Sequence, residues 1–266
     1  MDNRPIGIFD SGVGGLTVLS EIIKVLPQED IIYFGDTSRF PYGPKKKEDI
    51  KQFSFQIVDF LLKKDVKVIV VACNTATASA LADLKDRFDI PIIGVIRPGA
   101  RTAVNLTENN RIGVIATEGT VASKAYDMAA KDIKDLVEIY SNPAPDLVEY
   151  VEKGIFTGSS LEKSIDGYLE PLLKKDIDTL ILGCTHFPLI EAVIQDRAGG
   201  ISVISSAVET AKDLKEILIE KGLLSIKDKK AYKSFFETGN KSRFLELGKI
   251  FLGKEIEVVK KVCLNI

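Results

Sequence analysis

Residues 61–73, LLKKDVKVIVVAC, align without a gap on residues 172–184, LLKKDIDTLILGC. Six of the thirteen positions are identical, and the terminal cysteine is one of them. Each segment reads as the end of a helix, then a short apolar run of strand character, then a thiol where the strand gives way to polar chain. Chance likeness is the plain alternative, because buried parallel strands draw on a small apolar alphabet. Against it stands the shared position of Cys73 and Cys184, at the carboxyl end of a strand, where α/β proteins hold their ligands. A weaker pairing sets Ile6-Gly-Ile-Phe-Asp10-Ser11 beside Ile112-Gly-Val-Ile-Ala116-Thr117, again a strand running into a polar turn. The two halves read as variants of one unit, which would present two thiols to one cleft.

Working outward, Ile- and Val-rich runs alternate with amphipathic stretches. This pattern predicts strand-helix units, a mainly parallel sheet and the α/β class. Strands are expected at 5–10, 30–34, 66–72, 91–95, 111–116, 137–140, 178–182 and 202–204, with helices such as 46–64 and 77–88 between them. At 266 residues the chain is long enough for two modest α/β domains or one large one.

A hydrophobic fraction of 45%, a charged fraction of 28% and a net charge of −2 describe an ordinary globular chain. Basic and acidic residues are interspersed, so neither a nucleic-acid track nor an anionic-membrane surface is expected. The first residues, MDNRPIGIFD, lack the basic and apolar regions of a secretory signal, and the run from Val68 to Cys73 is too short to span a bilayer. A cytoplasmic location follows as the expectation. Three cysteines without a CxxC argue against a disulfide framework, and His186, the only histidine, leaves no zinc site of the usual spacing.

The chemistry gathers at strand ends. Cys73-Asn74-Thr75 and Cys184-Thr185-His186 each follow a strand and precede an expected helix, whose amino terminus would favour thiolate. Cys263, in an apolar tail, reads as a small hydrophobe. The glycine-rich turn Asp10-Ser11-Gly12-Val13-Gly14-Gly15 suits an anion held by backbone N–H groups. It matches neither the dinucleotide fingerprint nor a P-loop, so a carboxylate is the simpler ligand. A second turn, 36–43, would lie on the same sheet edge.

Taken together, FDSGVGGLTV at 9–18, PYG at 41–43, ACNTA at 72–76 and GCTHFP at 183–188 resemble the motif set of the glutamate racemases, part of the aspartate/glutamate racemase family. Residues 95–99, 151–154, 206–211 and 235–239 add to the resemblance. It implies two pseudo-symmetric three-layer α/β domains, 1–95 plus 208–266 and 96–207, with the active site in the cleft between them. It implies Cys73 and Cys184 as the acid/base pair, assisted by Asp10, Glu152 and His186. The residues implied around the substrate are Asp10, Ser11, Pro41, Tyr42, Gly43, Asn74, Thr75, Thr117, Thr185 and His186. Arg97 and Ser205 depart from the family pattern at positions not expected to touch substrate. Glu149, three residues before Glu152, competes for the assisting role, since both would lie on one helix face.

Two thiols suit the implied reaction. Inverting a chiral Cα requires a proton to leave one face and another to arrive on the opposite face, so two acid/base groups must flank a planar carbanion-like species. With no Schiff base, that species would be stabilised by preorganised donors around the carboxylate. No pattern demands pyridoxal phosphate, and an electron-sink cofactor would make the second thiol redundant. The expectation is interconversion of L- and D-glutamate without cofactor or metal, supplying D-glutamate for peptidoglycan, with a homodimer as the working assembly. Three rivals make different predictions. Aspartate could be the substrate; a non-catalytic binding protein would tolerate loss of both thiols; a Cys–His hydrolase would use Cys184 and leave Cys73 idle.

Overall fold

The computed structural model describes residues 1–226 and 231–264. In chain order the elements are β1 (Ile6–Asp10), α1 (Leu16–Val25), β2 (Ile31–Gly35), α2 (Lys47–Leu62), β3 (Val68–Val71), α3 (Asn74–Arg87), β4 (Ile92–Gly94) and α4 (Ile96–Leu106). Then come β5 (Arg111–Ala116), α5 (Glu118–Ala122), α6 (Ala125–Lys131), β6 (Glu138–Pro143), α7 (Pro145–Glu152), α8 (Ser159–Leu173), β7 (Thr179–Gly183) and α9 (Glu191–Arg197). The chain closes with β8 (Ser202–Ser205), α10 (Ser206–Glu220), β9 (Lys233–Glu237), α11 (Lys241–Leu252) and β10 (Val259–Lys261).

Among the described residues every strand pairing is parallel, in two sheets ordered β10-β9-β2-β1-β3-β4 and β6-β5-β7-β8. Within each sheet the first strand of its half lies between the second and third, with the fourth outside. The correspondence β1 to β5, β2 to β6, β3 to β7 and β4 to β8 is therefore complete, and the first half adds two strands at one edge. The repeated LLKKD segments fold alike: α2 and α8 both run out at these leucines, and Asp65 and Asp176 both take the left-handed backbone at φ 56°. Asp tolerates that region better than most residues, which suits it to both turns.

Side-chain alternation fixes the layers. Ile6, Ile8, Tyr33, Val68 and Val70 face a core shared with α1, α10 and α11, whereas Phe9, Phe34, Ile69 and Val71 face α2 and α3. In the second sheet Leu180 and Leu182 pack towards α7, α8 and α9, and Ile112, Val114 and Ile181 towards α4 and α6. Each sheet is covered on both faces, which is why its central strands read as continuous apolar runs.

The eight expected strands exist, with ends within three residues of those expected, and 111–116 matches at both ends. β6 runs on to Pro143, which is tolerated because β6 is an edge strand. β9 and β10 were not anticipated. Lys233-Ser-Phe-Phe-Glu237 has only two apolar residues between polar ends, and β10 is a three-residue edge strand with two exposed lysines. The helix expected at 77–88 begins three residues earlier, at Asn74, because Cys73 itself is the N-cap. The segment 208–266 assigned to the first unit includes 227–230 and 265–266, which lie outside the described residues. No helix among the described residues is long and apolar enough to cross a membrane.

Candidate active site

The carboxyl ends of both sheets converge on a cavity of about 540 Å³. From the first half it is lined by Ser11, the turn 40–44, Cys73, Asn74 and Thr75; from the second by Thr117, Cys184, Thr185, His186 and the α7 face carrying Val148, Glu149 and Glu152. Of the residues expected around the substrate, all but Asp10 line this cavity. Phe40, Pro145 and Val148 also line it and were not anticipated, since an apolar wall residue carries no chemical signature in sequence. The ring of Phe40 stands 5.7 Å from that of His186.

Cys73 follows β3, and its sulfur accepts from the Ala76 N–H at 3.5 Å, so α3 does begin at the thiol. The thiol donates to Ser11 Oγ at 3.7 Å. Burial works against the thiolate that the helix terminus was expected to favour. Burial, reinforced by the nearby Asp10 carboxylate, pushes Cys73 up to about 12 against the opposing Ala76 and Ser11 hydrogen bonds. Desolvation of a thiolate in a closed site outweighs the partial charge of one helix end.

Cys184 differs in kind. No α-helix starts beside it: a 3-10 turn, Phe187–Ile190, intervenes before α9, and Pro188 has no N–H to give. Its partner is His186 instead, with Nδ1 3.7 Å from Sγ, and His186 Nε2 lies 2.7 Å from Glu152 Oε1. Burial opposes charge on the imidazole, but Cys184 and Glu152 together overcome it and raise His186 to about 10. On α7, Glu149 pairs with Lys153 at 3.0 Å, whereas Glu152 reaches His186. The two thiols therefore have unlike surroundings despite their equivalent positions in the repeat.

Asp10 lies beneath the cavity, fully buried. It accepts from the Gly12 N–H at 2.9 Å and from Thr185 Oγ1 at 3.4 Å, and burial holds its carboxyl above the usual range. Part of the glycine-rich turn thus holds the protein's own carboxylate, through the Gly12 N–H, while Ser11 of the same turn faces the cavity. Gly14 allows close approach between the halves: a Cβ there would sit 2.5 Å from both His186 Nδ1 and Thr185 Oγ1.

Further bonds tie the halves around the cavity. Thr75 Oγ1 and Thr117 Oγ1 share a hydrogen bond at 2.8 Å, and Thr120 closes the triangle at 2.9 and 3.3 Å. Tyr126 donates to Asn74 Oδ1 at 2.8 Å, Gly119 N–H to the Gly43 carbonyl at 3.1 Å, and Thr17 Oγ1 to the Thr185 carbonyl at 3.1 Å. Tyr42 is held by Asp36, to which its hydroxyl donates at 2.5 Å, and Arg39 pairs with the same carboxylate at 2.7 Å. Arg97 and Ser205 do not line the cavity; Ser205 caps α10. Among the described residues, no group of three or more His, Cys, Asp or Glu side chains is placed to hold a metal ion.

Comparison with known proteins follows the same lines. The family described as Asp/Glu/Hydantoin racemase matches residues 7–214. A glutamate racemase from Oceanobacillus iheyensis is 46% identical over 249 residues, 93% of this chain and 91% of that protein. Among solved structures, a glutamate racemase isoform from Bacillus anthracis is similar with a TM-score of 0.95 at 44% identity, covering 99% of each chain. The Francisella tularensis glutamate racemase in complex with D-glutamate gives 0.93 at 38%, covering 100% of this chain and 99% of that one. An aspartate racemase homologue from Pyrococcus horikoshii, at 18% identity and a TM-score of 0.59, shares the fold alone. Likeness along the whole length, over a fold that brings two strand-end thiols to one cavity, fixes the family: the chain belongs to the Asp/Glu/hydantoin racemases.

Proposed function

We propose that this protein is a cofactor-independent glutamate racemase in which Cys73 and Cys184 exchange the α-proton across opposite faces of Cα. The observation that carries the reading is the delivery of two buried thiols, from equivalent strands of two half-sheets, to one cavity. The glutamate racemases it resembles over nearly their full length support glutamate as the substrate, and one of them is seen with D-glutamate.

In this reading a thiolate on one side removes the α-proton while the thiol on the other side donates its own proton to the opposite face, so each turnover exchanges the roles of the two sulfurs. The imidazolium of His186, sustained by Glu152, stands where it can donate to a Cys184 thiolate. Cys73 with its proton in place is ready to donate first. Asn74, Thr75, Thr117 and Thr185, together with the turn carrying Tyr42 and Gly43, supply hydroxyl, amide and backbone groups for the two carboxylates of glutamate. Asp10 would act through Thr185 and the glycine turn, not by touching substrate. We assign the two domains to 1–95 plus 208–266 and 96–207, with closure of one on the other excluding water. A cytoplasmic enzyme of this kind would supply D-glutamate to peptidoglycan.

The test is racemisation of L-glutamate by purified protein, followed by optical rotation with chelator present and no cofactor added. Wild-type protein should bring the rotation to zero. Cys73→Ala and Cys184→Ala should each lose at least on the order of 10²–10⁴ in rate, the usual contribution of a positioned acid or base. Near-wild-type racemisation by either variant would refute the two-thiol assignment, and free tolerance of both changes with glutamate still bound would favour a binding protein.

A further inference from the structure

Glu152 is the last residue of α7, and how that helix ends determines where its carboxylate points. The final carbonyls of a helix have no partner within it. Here the Glu149 carbonyl accepts from Lys153, that of Tyr150 from Ile155, and that of Val151 from Gly154, all backbone N–H groups of the following turn. The carbonyl of Glu152 accepts instead from the guanidinium of Arg243, a residue 91 positions further along the chain.

Arg243 belongs to the opposite half. It lies in the first turn of α11, where the Asn240 side chain caps its backbone N–H at 3.1 Å. Its neighbour Phe244 is buried in the first-sheet core against Tyr33, with ring centroids 6.1 Å apart, and against Gly35 of β2. Arg243 Nη1 also pairs with Glu246 at 3.0 Å, one turn on, which steadies the side chain. The guanidinium is thus mounted on a firmly packed helix of one half and grips the end of α7 in the other. No sequence motif marked it, because its partner is a backbone carbonyl.

We propose that Arg243 is a positioning residue for the proposed racemisation: by gripping the α7 terminus from the other half, it holds the Glu152 carboxylate on His186 and so keeps the imidazole oriented beside Cys184. The inference rests on the racemase reading for its catalytic meaning, but its geometric content can be measured apart from activity. The last turn of a helix frays readily when its carbonyls are unheld, and a displacement of about 1 Å at a supporting group can cost on the order of a hundredfold in rate. Loss of the grip would let the Glu152 carboxylate swing towards solvent, leaving burial free to lower the His186 charge.

Because His186 is the sole histidine of the chain, its titration can be read without overlap by NMR on protein labelled at histidine. The experiment compares full-length wild type, Arg243→Ala, Arg243→Lys and Glu152→Gln. The Glu152→Gln variant sets the size of the effect when the carboxylate charge is gone. Arg243→Ala should move the imidazole midpoint down in the same direction by a substantial part of that amount. It should also lower kcat several-fold with a smaller change in KM, and shift the high-pH limb of kcat/KM downward. Arg243→Lys, which keeps a cationic donor, should restore most of both. Folding is not expected to fail, since the Arg243 side chain is 41% exposed, and the lysine variant serves if the alanine one is unstable. An unchanged His186 midpoint and an unchanged pH profile in Arg243→Ala would overturn the proposal. Failure of wild-type protein to racemise glutamate would strike the function instead and leave the titration result standing.

Discussion

At the residue scale the two thiols are alike in sequence and unlike in place. Cys73 ends up beside Ser11 and above a buried carboxylate, Cys184 beside an imidazole that a second carboxylate holds charged. The repeat made their common position at a strand end legible, but the difference could not be read from it. It comes from Asp10, 63 positions before Cys73, and from Pro188, which turns the residues after Cys184 into a 3-10 segment. The His186 charge has a definite pH consequence. Its pKa is raised from an ordinary value of 6.5 to about 10, so the imidazolium is present through neutral pH and is lost as pH rises through 10. Replacing Glu152 with Gln removes one of the two groups that raise it, and the loss of charge then begins at lower pH. The variant's deficit in kcat/KM should widen from pH 7 to pH 9.5 and tend, above the wild-type value of about 10, to about tenfold for each pKa unit by which the group falls, about 1.4 kcal/mol. A deficit that stays constant over that range would show that Glu152 does not act through the histidine.

At the element scale, packing decided what pattern left open. The helix-strand register of the two repeats was legible because LLKKD and the following apolar run recur in both. The glycine-rich turn was legible as a turn, and its use was not. Spacing alone cannot tell an N–H that meets a ligand from one that meets the residue two positions back. Phe40 and Val148 escaped notice for a similar reason: nothing in an apolar residue's identity says whether it walls a cavity or fills a core. The close contact at Gly14 gives an element-level prediction. In Gly14→Ala the new methyl would press on His186 and Thr185, so stability should fall by about 1–3 kcal/mol, as overpacking usually costs, and racemisation should fall with it. Gly167 offers the contrast, since it lies on an exposed face of α8 with nothing within 4 Å of a Cβ. Gly167→Ala should raise stability by roughly 0.5–1 kcal/mol and leave activity unchanged. Urea unfolding of the two variants checks both signs, and a Gly14→Ala protein of wild-type stability would mean the two loops are not packed as described.

At the scale of the whole molecule, the duplicated half-sheet is what would let the proposed racemisation reach both faces of one carbon. One strand-turn unit can place an acid/base group on one side of a substrate; two, facing each other across a cleft, place one on each side. Ties between the halves, from the Thr75–Thr117 pair to Arg243 on Glu152, keep those sides in register. This division into halves was legible from the repeat, whereas the ties were not, because each joins residues far apart in sequence through a single hydroxyl, amide or carbonyl. Two proton carriers on opposite faces would show in the earliest turnovers of L-glutamate in deuterium oxide, with NMR following the label at Cα in each enantiomer. D-glutamate should appear already deuterated while the remaining L-glutamate keeps its protium. Product that carries the original protium, or deuterium entering both enantiomers at equal early rates, would mean a single carrier serving both faces and would contradict the two-thiol assignment.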